Sequence, residues 1–349
     1  MKALALIEST DHVCGRYRIS AYASSLAAFG WSISVEGIAT TPLARLRQIR
    51  RAASFDCVML QRKLLPGWQL SMLRRNSRRL LFDFDDAVLY RDSYDPRGPF
   101  CRRRSLRFSR TMRAADLILA GNDFLAQSAR ERGAAADHVR VMPTCIETHN
   151  YQPKNEFGAS SEAIRLVWIG SSSTLQGLEQ QRPLMERLGR EIPGLKLRVI
   201  CDRFPEFDDL PVERITWNGA TEAEDLAGGD VGISWLPDDL WSRGKCGLKV
   251  LQFFAAGLPV VANPVGVHPE MIKPGLNGFM PRTDDEWVES IRQLASDADL
   301  RRRMGRQARA TVNQTYSIDA WAPRFVAALE GRADVLSPNI RPPGQVVRS

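Results

Sequence analysis

Histidine is scarce in this chain. Only His12, His138, His149 and His268 occur among 349 residues, far apart in sequence. They form no ligand cluster, which speaks against a zinc site. The six cysteines (Cys14, Cys57, Cys101, Cys145, Cys201 and Cys246) include no C-x-x-C pair. Scattered in so long a chain, they are expected to be reduced and buried. No apolar run approaches the roughly 20 residues that span a bilayer. The start "MKALALIEST" turns polar too soon for a secretory leader and predicts a first strand. A G-x-G-x-x-G fingerprint is also missing. Gly15 follows the first strand alone, so dinucleotide binding is not supported.

What is present is a long alternation. A chain of 349 residues exceeds what one core usually supports, so two domains are expected. The runs "ALALIE", "SISVEGI", "DCVML", "RLLFDF", "DLILAG" and "VRVMP" read as strands, with helical patterns near 17–29, 42–53, 102–114 and 123–132. After the polar "NYQPKNEFGASS" the alternation restarts with "IRLVWIG", "LKLRVI", "VERITW", "DVGISWL" and "LPVVAN". Helical patterns near 174–189, 221–227, 245–256, 284–295 and 298–314 accompany these. Strands alternating with helices predict parallel sheets covered on both faces. The expected fold is α/β, with two Rossmann-like domains facing a central cleft. Residues 1–152 form the first and 160–315 the second. A helix over 316–330 is expected to pack back on the first domain, and 331–349 to be a disordered tail.

Charge is unevenly spread. Residues 1–150 hold 24 Lys and Arg against 14 Asp and Glu, while the whole chain is +8. The balance suggests that the first half meets something anionic. A solvated basic surface explains it equally well. The segment "RRRSLRFSRTMR" is the strongest basic stretch, with Arg103, Arg107 and Arg110 on one helical stripe.

Four stretches carry candidate chemistry. In "GKCGLKVLQFFAAGLPVVANPVG", Lys245, Lys249 and Gln252 fall at i, i+4 and i+7 of a predicted helix. Two cations at a helix start are disfavoured by its partial positive charge. An anion there reverses the penalty, so a phosphate site is expected, with Arg243 just ahead. Gly244 and Gly247 would give the backbone room to approach the ligand. The bland alternative is a lysine stripe facing solvent. In "LVWIGSSSTLQGL", Gly170, Ser171, Ser172 and Ser173 turn from strand to helix. They offer donors to an anion, although serine at an N-cap is expected on capping grounds alone. In "HVCGRYRIS", Gly15 and Arg16 could reach toward phosphate or form a surface turn. In "LLFDFDDAVLY", Asp83 and Asp85 share a strand face and Asp86 follows. Such carboxylates can hold a divalent cation, orient sugar hydroxyls or cap a helix.

The second half resembles the nucleotide-sugar-binding domain of family 4 (group 1) glycosyltransferases of GT-B fold. The matching text is "WIGSSST", "DVGISWLPDD", the stretch from Gly244 to Met280, and "LRRRMGRQARATVNQTYSIDAW". "GRYRISAYASSLAAFGW", "FDDAV" and "AGNDFLAQSA" extend the likeness to the first half. Family members typically carry two glutamates separated by seven residues, the second binding the donor ribose. Here these positions hold Gly244 and Gln252. Glu270 matches a position downstream of the family's glycine-rich loop.

The resemblance implies a retaining glycosyltransferase that moves a sugar from a nucleoside diphosphate, UDP- or GDP-linked, to a glycan, lipid or other acceptor. Lys249, Lys245 and Asp86 are the catalytic candidates. Gly15, Arg16, Gly170, Ser171, Ser172, Ser173, Arg243, Lys245, Lys249, Gln252 and Glu270 are the donor-binding ones. No cofactor, metal or nucleic-acid partner is expected. The expected location is cytoplasmic, with peripheral contact at an anionic inner membrane surface. Two rivals stay open: another GT-B enzyme such as a nucleotide-sugar epimerase, and a non-catalytic sugar-nucleotide-binding module.

Overall fold

The computed structural model describes residues 1–9, 13–154 and 164–332. His12, most of the predicted linker after Asn150 and almost all of the predicted tail lie outside these residues. The described chain forms two compact units. The first takes Met1–Cys145, Asp239–Cys246 and the chain from Ser317 onward; the second takes Ile146–Asp238 and Gly247–Tyr316. Sequence reading places Asp239–Cys246 in the second domain. The structure instead clusters this excursion with the first unit.

In the first unit the strands are β1 (Lys2–Ile7), β2 (Ser32–Gly37), β3 (Cys57–Gln61), β4 (Leu80–Phe84), β5 (Leu117–Ala120) and β6 (Val139–Val141). They form one parallel sheet in the order β2-β1-β3-β4-β5-β6. Period-two alternation splits β1 between two cores. Leu4 and Leu6 join the cluster that also buries Leu70, Leu73, Phe108 and Met112. Ala3, Ala5 and Ile7 join Trp321, Phe325 and Leu329 on the other face.

The first-unit helices are α1 (Val13–Arg18), α2 (Ala23–Ala28), α3 (Pro42–Arg51), α4 (Gly67–Asn76), α5 (Arg102–Ala114) and α6 (Asp123–Glu131). The single helix expected at 17–29 is broken by a 3-10 turn at Ser20–Tyr22. Sequence reading leaves α4 unassigned. Its start offers no side-chain cap, only Pro66 followed by Gly67.

The second unit has β7 (Arg165–Ile169), β8 (Lys196–Cys201), β9 (Val212–Thr216), β10 (Val231–Ser234), β11 (Val260–Ala262) and the two-residue β12 (Gly278–Phe279). These also run parallel, in the order β12-β11-β10-β7-β8-β9. The order reverses between β7 and β10, where ligands of such sheets bind beyond the strand ends. Its helices are α7 (Ser172–Gln180), α8 (Arg182–Glu191), α9 (Glu222–Ala227), α10 (Leu248–Ala255), α11 (His268–Met271), α12 (Asp284–Ser296) and α13 (Ala298–Thr315). The helix expected at 174–189 is two helices, because Pro183 in the first turn of α8 has no N–H to continue α7. The last helix, α14 (Ile318–Glu330), belongs to the first unit. Its Phe325 stacks on Tyr22 with ring centroids 4.5 Å apart.

Candidate functional site

In the second unit, two helix starts lie at or beside the switch point. β7 ends at Ile169, and Ser171 caps α7. The Ser171 N–H donates to Thr174 Oγ1 at 3.2 Å, and the Ser171 and Ser173 hydroxyls lie 2.8 Å apart. The Ser172 N–H donates to Asp202 Oδ1 at 2.7 Å. The carboxylate following β8 therefore already sits on the positive end of α7. Hydrogen bonds from Ser172, the side-chain one first and this backbone one second, hold Asp202 below the usual carboxylate range.

α10 starts differently. The helix predicted from Lys245 begins only at Leu248, because Gly247 takes a left-handed φ of 70°. No side chain caps this start. Lys249 lies in the first turn, with its Nζ 3.9 Å from the centroid of the Trp168 ring on β7. The same indole passes beneath Gly170, where a Cβ would meet it at about 2.5–2.9 Å. Trp168, Gly170 and Lys249 thus converge at the end of β7. Lys249 is half-buried, and cation–π contacts contribute from about 0.5–1 kcal/mol when exposed to about 2 kcal/mol when desolvated. They also fix where the ammonium points.

Behind Lys249 lies His268, fully buried at the start of α11. Its Nδ1 is 2.8 Å from the Asn263 carbonyl, which only accepts, so Nδ1 carries the proton. Nε2 then accepts from the Ser234 hydroxyl at 3.3 Å. Burial, with a smaller push from Lys249, brings its pKa down to about 4. The imidazole is therefore neutral at physiological pH. Gln252 is buried on α10 one turn beyond Lys249, and Glu270 is exposed on α11.

The first unit gathers a different set. Lys245 is not helical: it follows a 3-10 turn at Ser242–Gly244 with φ −67° and ψ 141°. It shares no stripe with Lys249, and its Nζ lies 3.0 Å from Asp86 Oδ1. Burial opposes its charge, and Asp86 more than compensates, so its pKa is raised. Arg62, at the end of β3, reaches Asp86 at 2.7 Å and Asp85 at 3.5 Å. It is the one non-glycine residue with positive φ among the described residues, at 57°. Strain of that kind persists where the surroundings over-determine it. Sequence reasoning missed Arg62, because nothing local to "LQRK" marks it.

Asp83 does not join this group. It is fully buried and paired with the buried Arg18. Gly15 lies inside α1 rather than in a turn, and a Cβ there would sit 2.8 Å from Ile7. Arg16 and Arg243 are exposed. The Asn122 amide holds the Arg243 and Lys245 carbonyls at 3.2 and 3.1 Å.

Cys14, Asp85 and Asp86 place ligand atoms within 4.8 Å of one another. The set suits a divalent cation poorly. Arg62 and Lys245 already neutralise the two carboxylates, and burial followed by Asp85 pushes the Cys14 thiol well above its ordinary value. A metal ligand must be the thiolate.

Comparison with known proteins follows this geometry. Residues 241–311 match the family model for glycosyl transferases group 1. Sulfoquinovosyl transferase SQD2 of Arabidopsis thaliana is 27% identical over 56% of this chain and 41% of its own length. N-acetyl-alpha-D-glucosaminyl L-malate synthase of Bacillus anthracis is 27% identical over 58% and 56%. The chain thus spans about half the length of the curated relatives it matches. Among solved structures, sucrose-phosphate synthase from Thermosynechococcus elongatus aligns with TM-score 0.75 and 15% identity, over 95% of this chain and 99% of that one. Anabaena Alr3699/HepE in complex with UDP-glucose aligns with TM-score 0.66 and 15% identity, over 95% and 100%. The chain has the GT-B fold.

The position where the resemblance implies a first glutamate is closed by packing. A Cβ at Gly244 would lie 2.7 Å from the Ala87 backbone nitrogen. The space at Gly244 is filled by the protein itself. The same holds at Gly247, where a Cβ would meet Val267 at 3.0 Å. The expectation that these glycines make room for a ligand is corrected accordingly.

Proposed function

We propose that this chain is a retaining glycosyltransferase whose second unit binds a nucleoside-diphosphate sugar at the β7–α10 end of its sheet. One observation carries the reading: the Lys249 ammonium, fixed over Trp168 beside Gly170, in the first turn of a helix with no side-chain cap. The positive end of a helix and a cation together suit a diphosphate. UDP is favoured as the base carrier because a neighbour of the same fold was solved with UDP-glucose.

In the reaction, the bond between the anomeric carbon and the donor phosphate oxygen breaks, and its electron pair leaves with the nucleoside diphosphate. The acceptor hydroxyl oxygen bonds to that carbon on the same face, and the hydroxyl proton passes to the departing phosphate. Lys249 and the α10 N–H groups stabilise the charge that grows on the diphosphate. Gln252 serves the ribose with an amide that both donates and accepts. Neutral His268 supports the Lys249 side of the site without adding a charge. In the first unit, Asp86, held by Arg62 and Lys245, orients acceptor hydroxyls in this reading. The basic first unit suits an anionic acceptor or one presented at an anionic membrane surface. A relative named for L-malate, an anion, is in keeping with this.

The test is incubation with UDP- and GDP-sugars and an acceptor panel, with products detected by mass. Sugar transfer that survives a chelator is the expected result. Free epimerised nucleotide sugar would favour the epimerase reading. Binding without any product would favour a non-catalytic module. Activity lost with chelator and restored by Mn²⁺ would make Cys14, Asp85 and Asp86 metal ligands after all.

A further inference from the structure

α4 and α5 bury Leu70, Leu73, Phe108 and Met112 in one core of the first unit. Their outer sides leave an open groove of about 720 Å³, lined chiefly by Trp68, Ser71, Arg74, Arg75, Arg110 and Arg113. No acidic residue lines it. Arg74 is paired with Asp116 at 3.0 Å. Among the described residues, no salt bridge engages Arg75, Arg110 or Arg113. Three guanidinium groups around one groove repel each other until an anion enters.

The predicted stripe of Arg103, Arg107 and Arg110 is corrected here. Arg107 turns inward and donates to the Leu64 carbonyl at 3.2 Å. Arg110 instead leans over Gly67 at the start of α4, where its guanidinium would touch a Cβ.

The apolar neighbours decide the occupant. Trp68 is 58% exposed in the groove itself. Leu106, one turn before Arg110 on α5, is 50% exposed. A free phosphate has no use for such side chains. A bilayer surface takes both parts: headgroup phosphates meet arginine, and Trp68 and Leu106 enter the boundary of the acyl chains. We infer that the α4–α5 groove docks this chain on an anionic phospholipid surface. The inference deepens the membrane-presented acceptor of the reading above and stands independently of the donor chemistry.

The test is sedimentation of the full chain with phosphatidylglycerol vesicles and with phosphatidylcholine vesicles, without nucleotide. Binding to the former alone, weakening as salt rises, is expected. Each basic residue near an anionic surface contributes roughly 1 kcal/mol, so R75Q/R110Q/R113Q should lower partitioning about a hundredfold. Trp68→Ala should lower it several-fold with the salt dependence retained. Thermal unfolding of each variant, matched to the unaltered chain, shows that folding is intact. No partitioning at low salt overturns the inference. So does equal partitioning of the triple variant, or a groove that binds inorganic phosphate or single-stranded DNA while vesicles fail. UDP binding is measured separately on the same variants. Vesicle binding without UDP binding would sink the donor reading and leave the surface standing; the reverse would do the opposite.

Discussion

The two helix starts of the second unit look alike in sequence and differ in structure. Both follow a glycine, α7 directly after β7 and α10 after the 3-10 turn at Ser242–Gly244, and both present a positive helix end. At α7 the positive end is met from within, by Asp202 on Ser172. At α10 the only charged group fixed in the first turn is a cation, Lys249, aimed by Trp168. An anion gains little where a carboxylate must first be displaced. It gains where a cation and the positive end of a helix coincide. The comparison teaches that an anion site is set by what already answers the helix end, more than by the glycine and serines that announce it.

The largest expected effect concerns the histidine behind α10. His268 is pushed down to about 4, against about 6.5 for an unperturbed imidazole. A depressed folded pKa means that the neutral form is favoured in the folded state. The resulting stability is fully present above pH 6.5 and is lost as pH falls from 6.5 toward 4. The loss is up to about 3 kcal/mol. Chemical denaturation at pH 7 and pH 4 checks it. His268→Gln should flatten that part of the profile, and an unchanged slope would show that other groups carry it.

Next comes Lys249→Ala. A lost charge-assisted contact costs about 1.5–3 kcal/mol, so UDP should bind roughly 10- to 150-fold more weakly, and uridine almost as before. Calorimetry with both ligands decides. Equal loss for the two would show that Lys249 does not face phosphate, and the contrast with α7 would collapse.

Gln252→Glu should act in the same direction with a smaller size. Gln252 is buried three residues after Lys249 on α10. A carboxylate there lies at helix-neighbour spacing and would draw the ammonium away from the diphosphate. The expected fall in kcat/KM for the true donor is about tenfold, the low end of a lost charge-assisted contact. An equal or higher kcat/KM would mean that the family's carboxylate works here despite Lys249.

The fold was legible where burial writes itself into short apolar runs. β1, β4 and β7 are read correctly because both their faces are covered. α4 was not, since Gly67 and a polar face hide its period. Gly170 is marked in the sequence by the strand end before it and Lys249 by its place early in a predicted helix, and the structure brings both beside Trp168. Lys245 was misplaced because Gly247 reads as an ordinary interior glycine until its φ of 70° is known. Asp202 and Arg62 were invisible for another reason. Each acts on residues some 20 to 50 positions away, through contacts that only the sheet creates.

The smallest expected effect bears most directly on the comparison. Asp202→Ala removes the carboxylate that accepts from Ser172 and leaves the α7 start without its anion. The capping contact of Thr174 with Ser171 stays. The helix should loosen slightly, lowering Tm by about 1–3 °C. If α10 holds the diphosphate, UDP affinity should change by less than about twofold, because nothing at Lys249 is disturbed. If the diphosphate instead belongs at α7, Asp202 is its competitor. Removing a like charge from an anion site must then tighten UDP binding. Titration of UDP into the Asp202→Ala variant separates the two. Several-fold tighter binding would move the diphosphate to the serines and reduce Lys249 to a cation resting on Trp168.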